Sequence, residues 1–120
     1  MSIHIVSSSK TYPVAPDSKV TLRVTIGDAQ AGGWIITRED DSVIAKGSVS
    51  DLISIGSGAD LKGHLIQVVA TAVDVRPETN RLSAVISVDG GTSGLQQLLS
   101  VWDDGTAGDA AIFPTVIGFV

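Results

Sequence analysis

Two histidines, His4 and His64, are the only imidazoles that this 120-residue chain offers for acid–base or nucleophilic chemistry. A serine nucleophile needs such a base beside it, and a third group that orients the base. Neither histidine sits in a recognisable catalytic motif, and the G-x-S-x-G spacing of a nucleophile elbow is absent. The sequence therefore predicts a protein that is not an enzyme.

Three aspartates in one glycine-containing stretch are the residues best suited to a hard cation. Asp103, Asp104 and Asp109 supply carboxylate oxygens, which Ca²⁺ prefers on flexible backbone. The stretch lacks both the alternate-residue aspartates and the distal glutamate of an EF-hand, and an ordinary capped turn has a similar composition. Calcium is the one cofactor that the sequence suggests. The alternative is that these aspartates form an ordinary turn that binds no ion. Two lone histidines without cysteine do not make a structural zinc site.

Two tryptophans could offer a stacking surface to a ligand. Trp34 follows two glycines at the start of a predicted strand, and Trp102 closes an apolar stripe. Tryptophan is highly buried on average, so core positions are favoured for both. A small-molecule or carbohydrate-binding β-domain, with a loop-end site near Trp34 or Trp102, is the alternative to the function favoured below.

Composition favours contact with another protein chain. Apolar residues make up 43% of the chain and charged residues only 18%, so we expect some apolar surface to be buried against a protein partner or a second copy. The net charge is −5, and no basic run stands beside aromatic residues. Phosphate backbones attract basic surfaces, so nucleic acid is excluded as a partner.

The chain carries few signals of location. It has no cysteine, and residues 1–9 lack the basic flank and apolar run of a cleaved signal peptide. No apolar run approaches the roughly 20 residues that a membrane-spanning helix needs. We expect a cytoplasmic protein, or one exported without a recognisable cleaved signal, and no membrane span.

Alternating apolar and polar residues indicate β-strands through most of the chain. Residues 19–26 alternate most cleanly, and residues 34–39 and 42–48 flank an Asp40-Asp41 turn as a hairpin. Residues 65–75 are apolar at nearly every position, which is typical of a central strand, and residues 81–89 alternate. A proline-containing turn at 76–80 separates these last two segments. We predict that they form a hairpin at the centre of the fold.

The apolar period changes after Gly91. Leu95, Leu98, Leu99 and Trp102 recur at i, i+3, i+4 and i+7, the spacing of a stripe on two helical turns. This pattern predicts a short helix near residues 94–102.

The last eleven residues, 110–120, are strongly apolar and must pair into this sheet or into a neighbour's. A terminal strand of this kind can contact another chain through its backbone edge and its alternate side chains. The predicted interface residues are Ile112, Phe113, Val116, Ile117 and Phe119.

Seven or eight strands punctuated by glycine, aspartate and proline predict an all-β chain, organised as one antiparallel β-sandwich domain over residues 1–120. The strand rhythm is similar to that of immunoglobulin-like sandwiches in general architecture, although their cysteine and tryptophan landmarks are missing. A small β-barrel is the alternative. Together these features favour a non-catalytic protein-interaction or assembly module that uses a sheet edge or the C-terminal strand.

Overall fold

The chain folds into two β-sheets packed face to face, as the sequence predicts. The computed structural model describes residues 2–27, 30–75, 81–102 and 109–120. Within them lie ten strands, rather than the seven or eight expected, and one short helix. The elements are β1 (Ile3–Ile5), β2 (Ser8–Tyr12), β3 (Lys19–Ile26), β4 (Ala31–Arg38), β5 (Val43–Gly47), β6 (Leu52–Ser57), α1 (Gly58–Leu61), β7 (Leu65–Val73), β8 (Leu82–Asp89), β9 (Gln96–Trp102) and β10 (Ala110–Phe119).

One sheet has six strands, in the order β1-β10-β7-β4-β5, with β2 also paired to β10. The N-terminal strands β1 and β2 follow one another along the same edge of β10, and both run parallel to it. All other pairs in this sheet are antiparallel. The C-terminal strand therefore lies inside the sheet, between the N-terminal strands and β7.

The other sheet has four antiparallel strands, in the order β6-β3-β8-β9. Neither sheet closes on itself among the described residues, so the sandwich prediction is confirmed over the barrel alternative. The alternation seen in residues 19–26 is borne out by β3, in which Val20, Leu22 and Val24 are buried and Lys19 and Arg23 are exposed.

The core fills the space between the two sheets, and branched aliphatic side chains from their inner faces make up most of it. Tyr12 is fully buried and packs edge-on against Phe119. Its hydroxyl donates to the Gly94 carbonyl oxygen at 2.6 Å and accepts from the Gly91 N–H at 2.9 Å. A buried hydroxyl needs such partners, and here they fix the β8–β9 loop against β2.

The predicted central hairpin of residues 65–91 is wrong. β7 pairs with β4 and β10 in the six-stranded sheet, whereas β8 pairs with β3 and β9 in the four-stranded sheet. Side-chain alternation shows which residues face the core, but it does not show which strand is the neighbour. The predicted turn at 76–80 lies outside the described residues.

The predicted helix at 94–102 is also wrong, because residues 96–102 form strand β9. Leu98 pairs with Ile86 and is half-buried, while its neighbour Leu99 pairs with Val85 and is exposed. The spacing of the leucines is compatible with either a helix or a strand. The segment forms a strand because it pairs along the edge of β8. The described helix is α1, in which the Ser57 hydroxyl accepts from the Asp60 N–H as an N-cap.

Candidate interaction face

The C-terminal strand presents two apolar sides, and they have different surroundings. Phe113, Ile117 and Phe119 are fully buried in the core. Ile112 and Val116 point the other way and are half-buried on the outside of the sheet. Both backbone edges of β10 are paired within the chain, so of the two predicted alternatives, pairing into this sheet or into a neighbour's, the first is observed. A partner can reach the strand only through its outer side.

The outer side of the six-stranded sheet is apolar across nearly all of its width. Register places the outward residues of β10 beside outward residues of β7 and β1, and those of β7 beside outward residues of β4. We call this surface the apolar outer face; its branched, leucine and proline positions are Ile3, Ile5, Ile35, Val43, Leu65, Val69, Val73, Ile112, Pro114 and Val116.

Charge is almost absent from this surface. Among the described residues, Lys46 is the one charged side chain at a paired outward position, and it lies on the edge strand β5 opposite Ile35. Two further charged residues border the face: Glu39, whose carboxylate accepts from the Leu65 N–H, and Lys10, which lines the hollow at Gly118 described below. The remaining outward positions are threonine, serine, glutamine, alanine and glycine. Contiguous apolar patches larger than a few hundred Å² are rare on monomeric proteins and mark contact sites.

Two cross-strand rows of the apolar outer face have a large side chain at one edge and a small one at the other. One cross-strand row contains, from β1 to β4, Ile5, Ile112, Thr71 and Gly33, and the next row contains Ile3, Ala110, Val73 and Ala31. The β1 ends of the rows are occupied by isoleucines that are 63% and 68% exposed. The β4 ends are occupied by the two smallest side chains. In these two rows the face is therefore raised at β1 and lowered at β4, whereas in the row through Pro114 the β4 position is Ile35.

Two hollows lie at glycines, which have no side chain to fill them. A shallow hollow of about 610 Å³ surrounds Gly33 and is walled by Ile35 and Val69. A second, of about 250 Å³, lies at Gly118 beside Leu65 and Val116. A Cβ at Gly33 would meet only the Gly47 carbonyl oxygen, at 3.1 Å, so the space outside the backbone is open.

The outer side of the four-stranded sheet has the opposite character. Its outward positions are mostly charged or polar. Val85, Leu99 and Val101 form an apolar strip near one edge, and Leu52, opposite Arg23, is an exposed apolar residue near the other. The polar positions are Lys19, Thr21, Arg23, Thr25, Ser54, Ser87, Asp89 and Gln97.

The two predicted tryptophans differ in exposure, and both make contacts within the chain. Trp34 is 6% exposed, and its Nε1–H donates to the Val49 carbonyl oxygen at 3.0 Å. Trp102 is half-buried and stacks on the His4 ring, with ring centroids 4.0 Å apart. Both rings are therefore used in packing within the chain.

The predicted cation residues are only partly described. Asp103 and Asp104 lie outside the described residues, whereas Asp109 is 2% exposed at the start of β10. Its carboxylate accepts from the Ser2 N–H and pairs with His4 Nε2, both at 2.9 Å. The described part of the chain has no group of three or more potential ligands that could hold a metal. Asp109 instead holds the N-terminal strand on the sheet.

A cavity of about 500 Å³ opens between the two sheets at the end where β4 finishes. Its floor is the buried side chains of Ile55, Leu61 and Ile66. Its rim carries ionisable groups that belong to the β4–β5 turn, α1 and the start of β7; they are Arg38, Glu39, Asp40, Asp60 and His64.

Two contacts order this rim. The Glu39 carboxylate accepts from the Leu65 N–H and lies 3.5 Å from His64 Nδ1. The Asp40 carboxylate accepts from the hydroxyl and the backbone N–H of Ser42, and these hydrogen bonds lower the pKa of Asp40. Neither histidine hydrogen-bonds a serine or threonine hydroxyl in the described ranges.

Sequence reasoning missed the apolar outer face as a unit. The available signal was the pair of segments that are apolar on both sides, residues 65–75 and 110–120. A strand apolar on both sides indicates burial on both sides, but the second covering layer is absent from this chain's described residues.

No family model matches this chain, and no curated protein or solved structure is significantly similar to it. The site must therefore be interpreted from its own geometry. Within the described residues, no helix is long and apolar enough to span a membrane.

Proposed function

We propose that this chain is a non-catalytic assembly module that associates with a second copy of itself through the apolar outer face. One observation carries the proposal: the C-terminal strand and β7 lie at the centre of a sheet whose inner side packs on the core and whose outer side is also apolar. Ile112 and Val116, predicted as interface residues from the sequence, belong to this face.

The size of the face fits a specific protein contact. Five strands at ~4.8 Å spacing and the nine residues of β7 at ~3.3 Å each give a footprint on the order of 700 Å². A standard interface buries ~800 Å² on each partner. A second copy can cover this area in a single contact.

The shape and charge of the face favour a copy of the same chain. Two sheets with the same right-handed twist pack face to face with their strands within about 30° of each other, as the two sheets of a sandwich do. The chain has a net charge of −5, but almost none of its charge lies on the apolar outer face. Two copies can therefore meet there without bringing like charges together.

Light scattering across a wide concentration range tests the proposal. We expect the full-length chain to have the mass of two chains, and Val69→Lys to weaken association at least about 100-fold, because a lysine at the centre of the contact is buried without a partner. Thr21→Lys, on the outside of the four-stranded sheet, is the matched control and should leave association unchanged. A monomeric wild-type chain at every concentration would contradict the proposal.

A second candidate function is the binding of a small organic cation, with an apolar body and a charged head, in the cavity at the end of β4. The buried Ile55, Leu61 and Ile66 floor and the excess of carboxylates on the rim favour an apolar body with an ammonium head. Benzylammonium should shift the NMR signals of Leu61, and Asp60→Asn should weaken that binding. Benzyl alcohol is the uncharged comparison, and equal binding of both compounds would contradict a cation site.

A further inference from the structure

The apolar outer face is asymmetric from edge to edge. At the β1 edge stand Ile3 and Ile5, the two most exposed isoleucines, and in the same cross-strand rows at β4 stand Ala31 and Gly33. A surface with a raised edge and a lowered edge fits a copy of itself only in particular orientations. The register determines which orientation brings the two edges together.

A two-fold axis that runs parallel to the strands and passes between β10 and β7 brings the β1 edge of one copy onto β4 of the other. This operation leaves each residue at its own level along the strands and exchanges the two sides of the sheet. It places β10 of one copy on β7 of the other, and β1 of one copy on β4 of the other. Because Ile5 shares a row with Gly33, and Ile3 with Ala31, each isoleucine then faces a small residue.

The same operation also brings Leu65 and Gly118 of the two copies together. Leu65 of β7 pairs in register with Gly118 of β10 within one chain. After the two-fold rotation, Leu65 of each copy faces Gly118 of the other, where the hollow of about 250 Å³ lies. Within one chain the Leu65 Cδ2 lies 3.3 Å from where a Cβ on Gly118 would stand, so Leu65 lines one wall of this hollow and the Leu65 side chains of the two copies meet there.

The position of the Lys46 charge also fits this arrangement. Lys46 lies on β5, one strand beyond β4, and the rotation places it outside the β1 edge of the other copy. It therefore stays at the rim, in water, where charged side chains are found in protein interfaces. Rotation about an axis perpendicular to the strands would instead keep both isoleucine-bearing edges on the same side.

Resting on the proposed self-association, we infer that the assembly is a closed two-fold dimer in which Ile3 and Ile5 of each copy pack against Ala31 and Gly33 of the other. An isologous contact uses the same patch on both copies, so no apolar outer face is left over. Growth stops at two chains, and an open filament does not form.

Cysteine cross-linking tests the arrangement directly, because the chain has no cysteine of its own. Ile3→Cys and Ala31→Cys chains are prepared separately, mixed, and treated with a bismaleimide whose reach matches the ~10 Å spacing of packed sheets. The mixture should give cross-linked dimer in at least about tenfold higher yield than either chain alone, since the rotation brings position 3 of one copy close to position 31 of the other and keeps identical positions apart. A mixture of Ile3→Cys and Thr25→Cys chains is the control, because Thr25 lies on the outside of the other sheet.

The possible results separate this inference from the proposed function. Strong cross-linking in the mixture alone supports the two-fold arrangement. A wild-type dimer that Val69→Lys dissociates, but whose mixture does not cross-link or whose single variants cross-link equally well, overturns the arrangement and leaves self-association intact. A wild-type chain that stays monomeric overturns both.

Discussion

The two outer surfaces of this sandwich are built from the same alternation and have opposite chemistry. On β3 and β8 of the four-stranded sheet, the positions between buried residues are filled by lysine, arginine, threonine, serine and aspartate, with Val85 as the apolar exception. On the six-stranded sheet, half of the corresponding positions on β4, β7 and β10 are valine, isoleucine, leucine or proline, and the others are alanine, glycine, threonine and glutamine. A sheet that needs only one dry side is free to be polar on the other, as the four-stranded sheet is.

The difference shows that core formation does not account for the apolar outer face. Both sheets bury their inner sides equally well, with Leu22 and Ile86 from one sheet and Ile36 and Val68 from the other at no more than 1% exposure. We expect the additional apolar residues of the six-stranded sheet to contribute less to the fold of a single chain than the core residues do. Their place is explained by a second layer, which we propose is another copy.

The two sides of β10 provide the strongest test of this comparison, because they lie on one strand. Phe113→Ala should lower the free energy of unfolding by about 3–5 kcal/mol, since it leaves a cavity in the core. Val116→Ala should lower it by less than about 1 kcal/mol, because its side chain lies on the outer face. Urea unfolding measures both, in a Val69→Lys background so that dissociation does not contribute. Equal losses would show that the outer face supports the single-chain fold.

The second prediction concerns a variant in which the polar outer surface of the four-stranded sheet is made apolar. Arg23 and Thr25 point outward from β3, and Thr25 pairs with Val85 of β8. Replacing both with isoleucine joins them to the apolar strip of β8 and β9, which creates a second apolar face. We expect light scattering to show species larger than two chains.

The matched control for that variant is Arg23→Lys with Thr25→Ser, which keeps the surface polar and should leave the mass at two chains. If the double-isoleucine variant also stays at two chains, an apolar outer surface alone is not sufficient for association in this protein. The shape match of the six-stranded sheet would then be the deciding feature.

Much of the single-chain fold could be predicted from the sequence, because alternation reports burial directly. Strand β3 has the predicted bounds, the hairpin of β4 and β5 is confirmed, and the C-terminal segment is a strand. Strand partners were harder to predict. β7 and β8 are consecutive strands but belong to different sheets, and nothing in their side-chain pattern distinguishes a hairpin from a crossover.

The candidate site could be predicted only in part, for a related reason. Ile112 and Val116 belong to the apolar outer face, whereas Phe113, Ile117 and Phe119 belong to the core. A strand that is apolar on both sides carries no mark of which side meets the core. The face also draws on β1, β4, β7 and β10, which are far apart in the chain, so only the sheet order reveals it.

The third prediction concerns salt, which should affect the dimer weakly. Among the described residues, the charged side chains at the apolar outer face all lie at its margins: Lys46 on β5, Glu39 beside Leu65, and Lys10 on β2. Raising NaCl from about 0.05 to 0.5 M should change the dissociation constant by less than about threefold, because no close charge pair is screened. Sodium sulfate should tighten the dimer, since it favours burial of apolar surface. A tenfold or greater weakening in NaCl would indicate a contact through charged surface instead.

The smallest predicted effect is on the pKa of Asp40, in the turn between β4 and β5 at the boundary of the apolar outer face. Asp40 accepts hydrogen bonds from the hydroxyl and backbone N–H of Ser42, at 2.6 and 3.0 Å, and the pKa of its carboxyl is lowered. Ser42→Ala removes the larger of these two causes, so an NMR titration should show that the pKa of Asp40 rises toward its ordinary value. Ser42→Thr keeps a hydroxyl and should retain the lowered pKa.

The sign of the stability effect follows from the direction of that shift. A carboxyl whose pKa is lowered in the folded chain stabilises the fold above its unfolded pKa, and that contribution is lost as the pH falls through the folded value. Ser42→Ala should therefore weaken the fold slightly near neutral pH, with no difference from wild type once Asp40 is protonated in both. The turn is exposed and lies beyond the proposed contact, so the dimer mass should not change. A change in mass would move the boundary of the interface outward to include the turn.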